Sequence, residues 1–353
     1  MMKKKVDLLI VTHLPVFYKV NLYNELAKSK NIHVIYIANQ TEMRRSDDFL
    51  TLHKCKHSYN VVNATSIEKR NVFSSLFNLF NLYRKYDFSE ILVSGWELPE
   101  FQFLIHVTVN EKNSLALEST ANEGFHRGWK AFLKRNFLKR IAKVYASGSK
   151  HLELLEQYNF VGKRVVTKGV GLINYSNFSS ERLVRHMPSE VKLLYIGRLS
   201  EEKNISGMIN AVKGRSDVFL TICGTGPLVE FVNKYVDERI IYKGAVNNSD
   251  LIKELSDSHC LILPSFMEPW GLVVEEALYS NLPVIVSSNA GISELVEDGV
   301  NGYLFDPNEE QGLTMAINKF IDNFDLVDFT SQRIGSRLIL SKDQDQVQSY
   351  AKH

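Results

Sequence analysis

The chain has 353 residues, which is enough for two domains of ordinary size that each bury their own core. Its 42 Lys and Arg residues against 40 Asp and Glu residues leave a net charge of +2. This balance excludes attraction of a partner by overall charge, so any basic surface must be local.

Cysteine usage and the first residues indicate the compartment. Cys55, Cys223 and Cys260 are odd in number, far apart and without His or Cys at metal-ligand spacing, so we expect no disulfide framework and a reducing, cytoplasmic environment. The lysines at the start are followed by an apolar run that is short and interrupted by Asp7, which favours a first strand over a signal peptide. No stretch of about 18 apolar residues predicts a membrane-spanning helix.

The first half alternates strand and helix patterns. Strands are predicted at 6–11 and 32–38 with a helix at 16–29 between them, which is a Rossmann-like βαβ start. G-x-G-x-x-G is absent, so a dinucleotide site is not predicted there. Further strands are expected at 90–94, 114–117 and 143–146, and a helix at 98–109.

A basic segment follows at 126–144, with seven Lys or Arg residues and no acid. Its apolar residues recur at helical spacing: Trp129, Phe132, Leu133, Phe137 and Ile141. Such a helix can lie reversibly on an anionic lipid surface, with aromatic rings among the headgroups. The alternative, which the sequence leaves open, is a helix packed on the core with a solvated basic face.

The second half restarts after a weakly patterned linker at 171–188. A strand at 192–196 leads into a turn that carries Arg198 and Lys203. Because both cations leave the same strand-to-helix turn, they can reach a single crevice, where an Arg fork and a mobile Lys suit a diphosphate.

Two further turns and a βαβ unit complete the pattern. A strand at 218–223 ends in Gly224-Thr-Gly226, and a strand at 240–244 ends in the loop 245–248. Apolar strands at 261–263 and 283–286 flank a helix at 271–281. Glu268 precedes this helix and Glu276 lies within it, while the free N–H groups at the helix start attract an anion. One segment can therefore hold a sugar and a phosphate.

The run from Glu268 to Glu276, Glu-Pro-Trp-Gly-Leu-Val-Val-Glu-Glu, resembles the Glu-x7-Glu motif of retaining GT-B nucleotide-sugar glycosyltransferases, the glycosyl transferases group 1 or family 4. The Gly-Arg-x-x-x-x-Lys-Asn turn, with Arg198 and Lys203, fits the same pattern. The resemblance implies an α/β protein of GT-B fold with two Rossmann-like domains whose parallel sheets face a cleft. The acceptor-side domain would cover 1–170 with a crossover helix at about 340–353, and the donor domain 189–339.

The resemblance also implies residue roles. Arg198 and Lys203 would neutralise the leaving diphosphate, Glu268 would hold the donor sugar, and Glu276 would hold the ribose. The remaining donor-side candidates are Gly197, Gly224, Gly226, Gly244, Val246, Ser265, Gly271, Leu272 and Val273. The acceptor-side candidates are His13, Trp96, Glu97, Glu118 and His126.

The resemblance implies a retaining transferase that moves a sugar from a nucleotide-sugar donor to a glycan or lipid-linked acceptor, and with the residue roles above no metal or other cofactor is expected. The class suggests bacterial surface polysaccharide synthesis, such as O-antigen or capsule, by a cytoplasmic enzyme peripheral to the membrane. Asp343-Gln-Asp345 spells a D-x-D triplet, but its polar surroundings favour solvated surface. The alternatives are a GT-B sugar-nucleotide epimerase and a non-catalytic sugar-binding protein, while no stacking module supports a nucleic-acid binder.

Overall fold

A computed structural model describes residues 3–43, 48–121, 128–178, 189–324 and 334–352. The chain forms two compact units. It passes from the first unit to the second between Leu172 and Ile173, and returns to the first between Lys342 and Asp343. No helix in these ranges is both long and apolar enough to cross a bilayer.

The first unit contains a seven-stranded parallel sheet in the order β3-β2-β1-β4-β5-β6-β7. Apolar runs buried on both faces form its central strands, as parallel sheets require. Its strands are β1 Lys4–Thr12, β2 Ile32–Gln40, β3 Ser58–Ser66, β4 Tyr86–Val93, β5 Asn113–Leu117, β6 Lys143–Ala146 and β7 Lys163–Val166. Its helices are α1 Phe17–Leu26, α2 Val72–Tyr83, α3 Pro99–Val107, α4 Trp129–Leu138 and α5 Ser149–Gln157. Helices α2 to α5 contribute to one core cluster and α1 to another, so they cover opposite faces of the sheet.

The second unit contains a six-stranded parallel sheet in the order β10-β9-β8-β11-β12-β13. Its strands are β8 Val191–Ile196, β9 Val218–Cys223, β10 Ile240–Gly244, β11 Cys260–Leu263, β12 Val284–Ser287 and β13 Gly302–Phe305. The helices are α6 Ile205–Val212, α7 Val229–Asn233, α8 Asn248–Asp257, α9 Leu272–Tyr279, α10 Gly312–Asp322 and α11 Ile334–Lys352. Helix α11 begins in the second unit and ends in the first. The α/β class with two parallel sheets is confirmed.

The strand order marks where ligands are expected in each sheet. In the first unit the order reverses between β1 and β4, and in the second between β8 and β11. Open parallel sheets bind ligands outside the carboxyl ends of the strands at such a reversal. A binding site is therefore expected in the loops after β1, β4, β8 and β11.

The predicted basic helix at 126–144 is wrong in extent. Helix α4 ends at Leu138, and residues from Lys143 onward belong to β6, which pairs with β5 and β7. Phe137 and Ile141 are buried in the core of the first unit, whereas Trp129 is 70% exposed. Some aromatic residues of the segment are therefore buried in the core, and others are exposed on the surface.

Two buried histidines predict an acid-sensitive fold. Burial lowers the pKa of His57 to about 4 and that of His151 to about 4. An unfolded histidine titrates near 6.5, so between pH 6.5 and 4 the unfolded chain binds more protons and stability falls as the pH falls. We expect the free energy of unfolding to drop by up to about 1.4 kcal/mol per pH unit for each histidine.

Urea unfolding at a series of pH values measures this loss. His57 accepts a hydrogen bond from the Tyr36 hydroxyl and donates one to the Asn24 side chain, and glutamine at this position keeps polar groups but does not titrate. We therefore expect His57→Gln to show a shallower loss of stability between pH 6.5 and 4. An identical slope in the variant would contradict this account.

Candidate active site

The cationic turn after β8 lies at the reversal point of the second sheet. Tyr195 donates a hydrogen bond from its hydroxyl to the carbonyl of Arg198 over 2.8 Å, which fixes the turn. Asn204 adopts a left-handed conformation (φ 54°) directly before α6. Its side-chain oxygen accepts a hydrogen bond from the amide of Gly207 and so caps the start of this helix. Arg198 is thereby left exposed at the carboxyl edge of the sheet.

The loop after β11 brings a carboxylate to the same place. Glu268 Oε2 lies 2.9 Å from Lys203 Nζ, and the two side chains are 17% and 16% exposed. The amide of Met267 also donates to the carbonyl of Glu202 over 3.2 Å, which ties the two loops together by their backbones. The structure therefore brings together the predicted sugar-binding acid and one of the two predicted diphosphate cations.

The glycine turn after β9 supports the cationic turn. Gly224 has φ +144°, and a Cβ there would lie 1.8 Å from the carbonyl oxygen of Gly197. Gly226 has φ +159°, and its Cβ would lie 2.3 Å from the carbonyl oxygen of Leu199. We expected these glycines to allow a ligand to approach closely. In the structure they allow the backbone of the Arg198 turn to approach closely instead.

Three other predicted donor-side positions lie at or just after the ends of strands. Gly244 ends β10 with φ +72°, and its carbonyl accepts from the amide of Gly224. Val246 lies two residues further on and is half-buried. Ser265 follows β11 and is fully buried, and its hydroxyl has no hydrogen-bond partner among the residues that the structure describes. Such a group at the edge of the sheet is available to a ligand.

Helix α9 begins at this edge with an uncapped end. Gly271 precedes it with φ +115°, and no side chain caps the helix. Leu272 and Val273 are half-buried in its first turn, while Glu276 is only 5% exposed. Backbone amides without a side-chain cap at a helix start form an anion site, so this end can face a phosphate group.

The reversal point of the first sheet holds an acid and a histidine. His13 follows β1 and Glu97 follows β4, and His13 Nε2 lies 2.5 Å from Glu97 Oε1. Desolvation would raise the pKa of the Glu97 carboxyl, but the hydrogen bond and charge of His13, together with backbone hydrogen bonds from Glu97 and Trp96, bring the pKa below its ordinary value. Both side chains retain exposed surface.

A second charged pair lies at the end of β5. Glu118 Oε1 forms an ion pair with Lys19 Nζ at 2.7 Å, and Glu118 is one-third exposed while Lys19 is buried. Burial alone would lower the pKa of Lys19, but the charge and hydrogen bond of Glu118, together with contributions from Tyr18 and Tyr23, raise it above its ordinary value. The sequence analysis missed Lys19, because a lysine within an amphipathic helix gives no local signal of a distant partner.

The structure does not support the acceptor-side prediction for Trp96, and it does not test that for His126. Trp96 is only 5% exposed and belongs to the core of the first unit, with Lys134 Nζ 4.5 Å from its ring centroid and Tyr158 against its edge. Its ring has no free face for a ligand, so the predicted acceptor contact is corrected to a core role. His126 lies outside the described residues.

Metal-ligand clusters are not found in the described ranges, where no group of three His, Cys, Asp or Glu side chains converges. The D-x-D triplet lies on α11, and its first residue does not match the predicted solvated surface. Asp343 is buried, whereas Asp345 is half-exposed and pairs with Lys168 at 2.9 Å.

Residues 183–333 match the family described as Glycosyl transferases group 1. The second unit carries a group 1 glycosyltransferase domain. The residues brought together at β8 and β11 all fall within this match, as do Gly224, Gly244 and the start of α9.

Individual proteins agree with this assignment. An uncharacterised glycosyltransferase of Methanocaldococcus jannaschii, MJ1607, is 27% identical over 143 residues, which cover 38% of this chain and 37% of that protein. The matched part of the chain therefore covers well under half the length of that relative.

Solved structures share the fold over nearly the whole chain. The lipopolysaccharide outer core galactosyltransferase WaaB has a TM-score of 0.72 at 14% identity and covers 98% of this chain and 100% of its own. HepE of Anabaena, solved in complex with UDP-glucose, has a TM-score of 0.71 at 15% identity and covers 99% and 100%. The predicted GT-B fold is confirmed by these neighbours.

The group 1 domain contains contacts that the sequence analysis did not predict. The amide of Gly291 donates to the carbonyl of Glu268, and that of Ile292 to the carbonyl of Trp270. A Cβ at Gly291 would lie 2.0 Å from the carbonyl oxygen of Pro269. This packing shows that Gly291 holds the loop that carries Glu268 in place.

Proposed function

We propose that this chain is a retaining glycosyltransferase that moves a sugar from a nucleotide-sugar donor to a glycan or lipid-linked acceptor. The observation that carries the proposal is the Lys203–Glu268 pair beside the Arg198 turn and the start of α9, all at the reversal point of a group 1 domain. HepE of Anabaena, which shares the fold, was solved with UDP-glucose, and a nucleotide sugar is the donor proposed here.

The donor-side chemistry follows from where charge develops. Breaking the bond between the anomeric carbon and the diphosphate builds negative charge on the leaving oxygen. Arg198, Lys203 and the amides at the start of α9 are preorganised positive groups that stabilise this charge. Because these groups supply the compensation, we propose that the transfer needs no metal ion.

The two glutamates then hold hydroxyl groups. Carboxylates accept hydrogen bonds from sugar hydroxyls without reacting with them. Glu268 lies beside the cationic turn and is assigned to the donor sugar, and Glu276, one to two turns into α9, is assigned to the ribose. Lys203 pairs with Glu268, so a carboxylate can lie close to the diphosphate without repelling it.

The first unit offers the acceptor groups. His13 and Glu97 lie at the reversal point of the first sheet, after β1 and β4. Glu118 follows β5, which is the strand next to β4, and so lies on the same edge. These side chains present hydrogen-bond acceptors and a donor suited to a sugar hydroxyl. We assign this edge to the acceptor, with Lys19 fixing the position of the Glu118 carboxylate through their ion pair.

A panel assay tests the proposal. Hydrolysis of UDP-, GDP-, dTDP- and ADP-sugars by the purified protein is measured by release of the nucleoside diphosphate, with and without EDTA. We expect turnover with one of these bases and no loss in EDTA. Binding without turnover would favour a sugar-binding protein, and interconversion of one nucleotide sugar into another would favour an epimerase.

An apolar surface on the first unit supports a lipid-linked acceptor. Helix α4 exposes Trp129, Phe132 and Leu133, of which the two aromatic residues are 70% and 69% exposed. Helix α2 exposes Phe73 and Phe77, at 84% and 67%. Both helices cover the same face of the sheet and follow strands, so these first two turns lie toward the edge that carries the acceptor groups.

The charges next to this surface indicate its partner. Lys130, Arg135 and Lys139 are exposed on or beside α4. Aromatic side chains flanked by cations bind the headgroup region of anionic bilayers, with each cation contributing about 1 kcal/mol. We therefore propose that the protein attaches reversibly to an anionic membrane surface and acts on an acceptor carried there, in the assembly of a surface polysaccharide.

Liposome flotation measures this attachment. We expect recovery with vesicles that contain phosphatidylglycerol, little recovery with phosphatidylcholine alone, and a loss of recovery at high salt. Trp129→Ala combined with Phe132→Ala should reduce flotation several-fold, because the apolar contact is removed. Met315→Ala, at an exposed apolar position of the second unit, is the matched control, and equal recovery on both lipid compositions would remove the membrane assignment.

A further inference from the structure

A buried ion pair lies directly behind the loop that carries Glu268. Glu275 Oε1 is 2.8 Å from Lys342 Nζ, and these side chains are 0% and 1% exposed. The same oxygen accepts a hydrogen bond from the indole Nε1 of Trp270 over 2.6 Å. One carboxylate thus joins α9, α11 and the donor-side loop.

Fold stability does not require charge at this position. Taking two charges out of water costs so much that a well-packed apolar pair of similar volume is often equally stable or more stable. A buried ion pair at this position therefore indicates a role that an apolar pair cannot fill. Here that role is to accept the hydrogen bond of Trp270, because an apolar side chain would leave a buried N–H group without a partner.

Through its hydrogen bond with Trp270, the carboxylate of Glu275 contacts the loop that carries Glu268. Trp270 is 2% exposed and lies between Glu268 and Gly271, which carry the sugar contact and the helix start. Its backbone carbonyl accepts from the amide of Ile292 over 3.1 Å. The loop is therefore clamped through its backbone on one side and through the indole on the other.

Lys342 connects the same carboxylate to α11. The beginning of α11 packs along α9, with Gly335 against the carbonyl oxygen of Leu278 and the amide of Ser336 bonded to the Asn281 side chain over 3.1 Å. Lys342 is the last residue of the second unit before the chain returns to the first. Its ammonium group fixes which way the carboxyl of Glu275 points.

We propose that Glu275 and Lys342 are positioning residues, which hold Trp270 and thereby keep Glu268 in the geometry that binds the donor sugar. This role rests on the proposed function of Glu268. Arg198 and Lys203, the two cations assigned to the diphosphate, come from a different turn, which follows β8, so the network should affect binding of the sugar more than binding of the diphosphate.

Three variants separate positioning from stability. Glu275→Leu with Lys342→Met replaces the charges by apolar groups and removes the acceptor for Trp270. Glu275→Gln with Lys342→Met also removes the charges, but keeps an oxygen that can accept from the indole. Trp270→Phe removes the N–H group and leaves the ion pair in place.

Steady-state kinetics with the nucleotide sugar that the wild-type protein turns over give the first result. We expect the KM for the sugar nucleotide to rise about tenfold or more in the Leu/Met variant and in Trp270→Phe, and to return toward the wild-type value in the Gln/Met variant. The dissociation constant for the free nucleoside diphosphate should rise by a smaller factor than the KM in the Leu/Met variant and in Trp270→Phe, because Arg198 and Lys203 lie on the turn after β8. A wild-type KM in the Leu/Met variant would overturn the positioning role.

Hydrogen exchange gives a second result that needs no turnover. Amides of the peptide 265–272 should exchange faster in the Leu/Met variant than in the wild-type protein, and should be protected again in the Gln/Met variant. Unchanged exchange in the Leu/Met variant would overturn the inference even if no tested nucleotide sugar were turned over. Absence of turnover by the wild-type protein would bear on the proposed function instead.

Discussion

Replacing Arg198 with alanine is expected to lower the turnover number for the nucleotide sugar by on the order of a hundredfold or more, as removal of an oxyanion donor does in other enzymes. Its guanidinium group is exposed at the carboxyl edge of the second sheet, where the leaving diphosphate is placed. Steady-state kinetics on the donor identified in the panel measure the loss. Stability should change by no more than about 0.5 kcal/mol, because the side chain is on the surface.

Arg215→Ala is the matched control for this prediction. Arg215 pairs with Asp217 just before β9 begins, at the opposite edge of the same sheet. The control removes one cation from the second unit and should leave turnover unchanged. Turnover by Arg198→Ala at the wild-type rate would refute the role given to the cationic turn.

Replacing Gly224 with alanine is expected to cost about 3 kcal/mol of unfolding free energy, through both a backbone clash and strain. An added Cβ would lie 1.8 Å from the carbonyl oxygen of Gly197, and φ is +144°. Because Gly197 starts the turn that carries Arg198, donor affinity should fall as well. Urea unfolding and titration with the nucleoside diphosphate measure the two effects.

Gly214→Ala separates the clash from the strain. Gly214 has φ +77° with no atom within 4 Å of its ideal Cβ, so alanine there should cost only the roughly 1–2 kcal/mol of a left-handed conformation. Equal losses in the two variants would show that the contact with Gly197 adds nothing.

The sequence predicted the sheet strands of both units best where apolar runs are short and bounded by glycine or proline. The strands at 143–146, 218–223 and 240–244 have the predicted bounds. Strand β3 was missed because it is mostly half-exposed and polar at the edge of its sheet. Helix α2 was missed because its apolar side is not its buried side: Phe73 and Phe77 are exposed, whereas Ser75 is buried.

The candidate site was predictable where chemistry is local. Glu268, Lys203 and Arg198 were found by motif spacing, and the first two lie in contact. Pairs such as Lys19 with Glu118 or Glu275 with Lys342 join residues far apart in the chain, so no local pattern indicates them. The burial of Trp96 was likewise decided by α4 and α5, which pack over it.

The most direct test of the account is a crystal structure of the protein with its nucleotide sugar bound. The account predicts diphosphate oxygens within hydrogen-bond distance of Arg198, Lys203 and the amides at the start of α9, with Glu268 on the sugar and Glu276 on the ribose. A nucleotide sugar whose phosphates lie beyond the reach of both cations would contradict it.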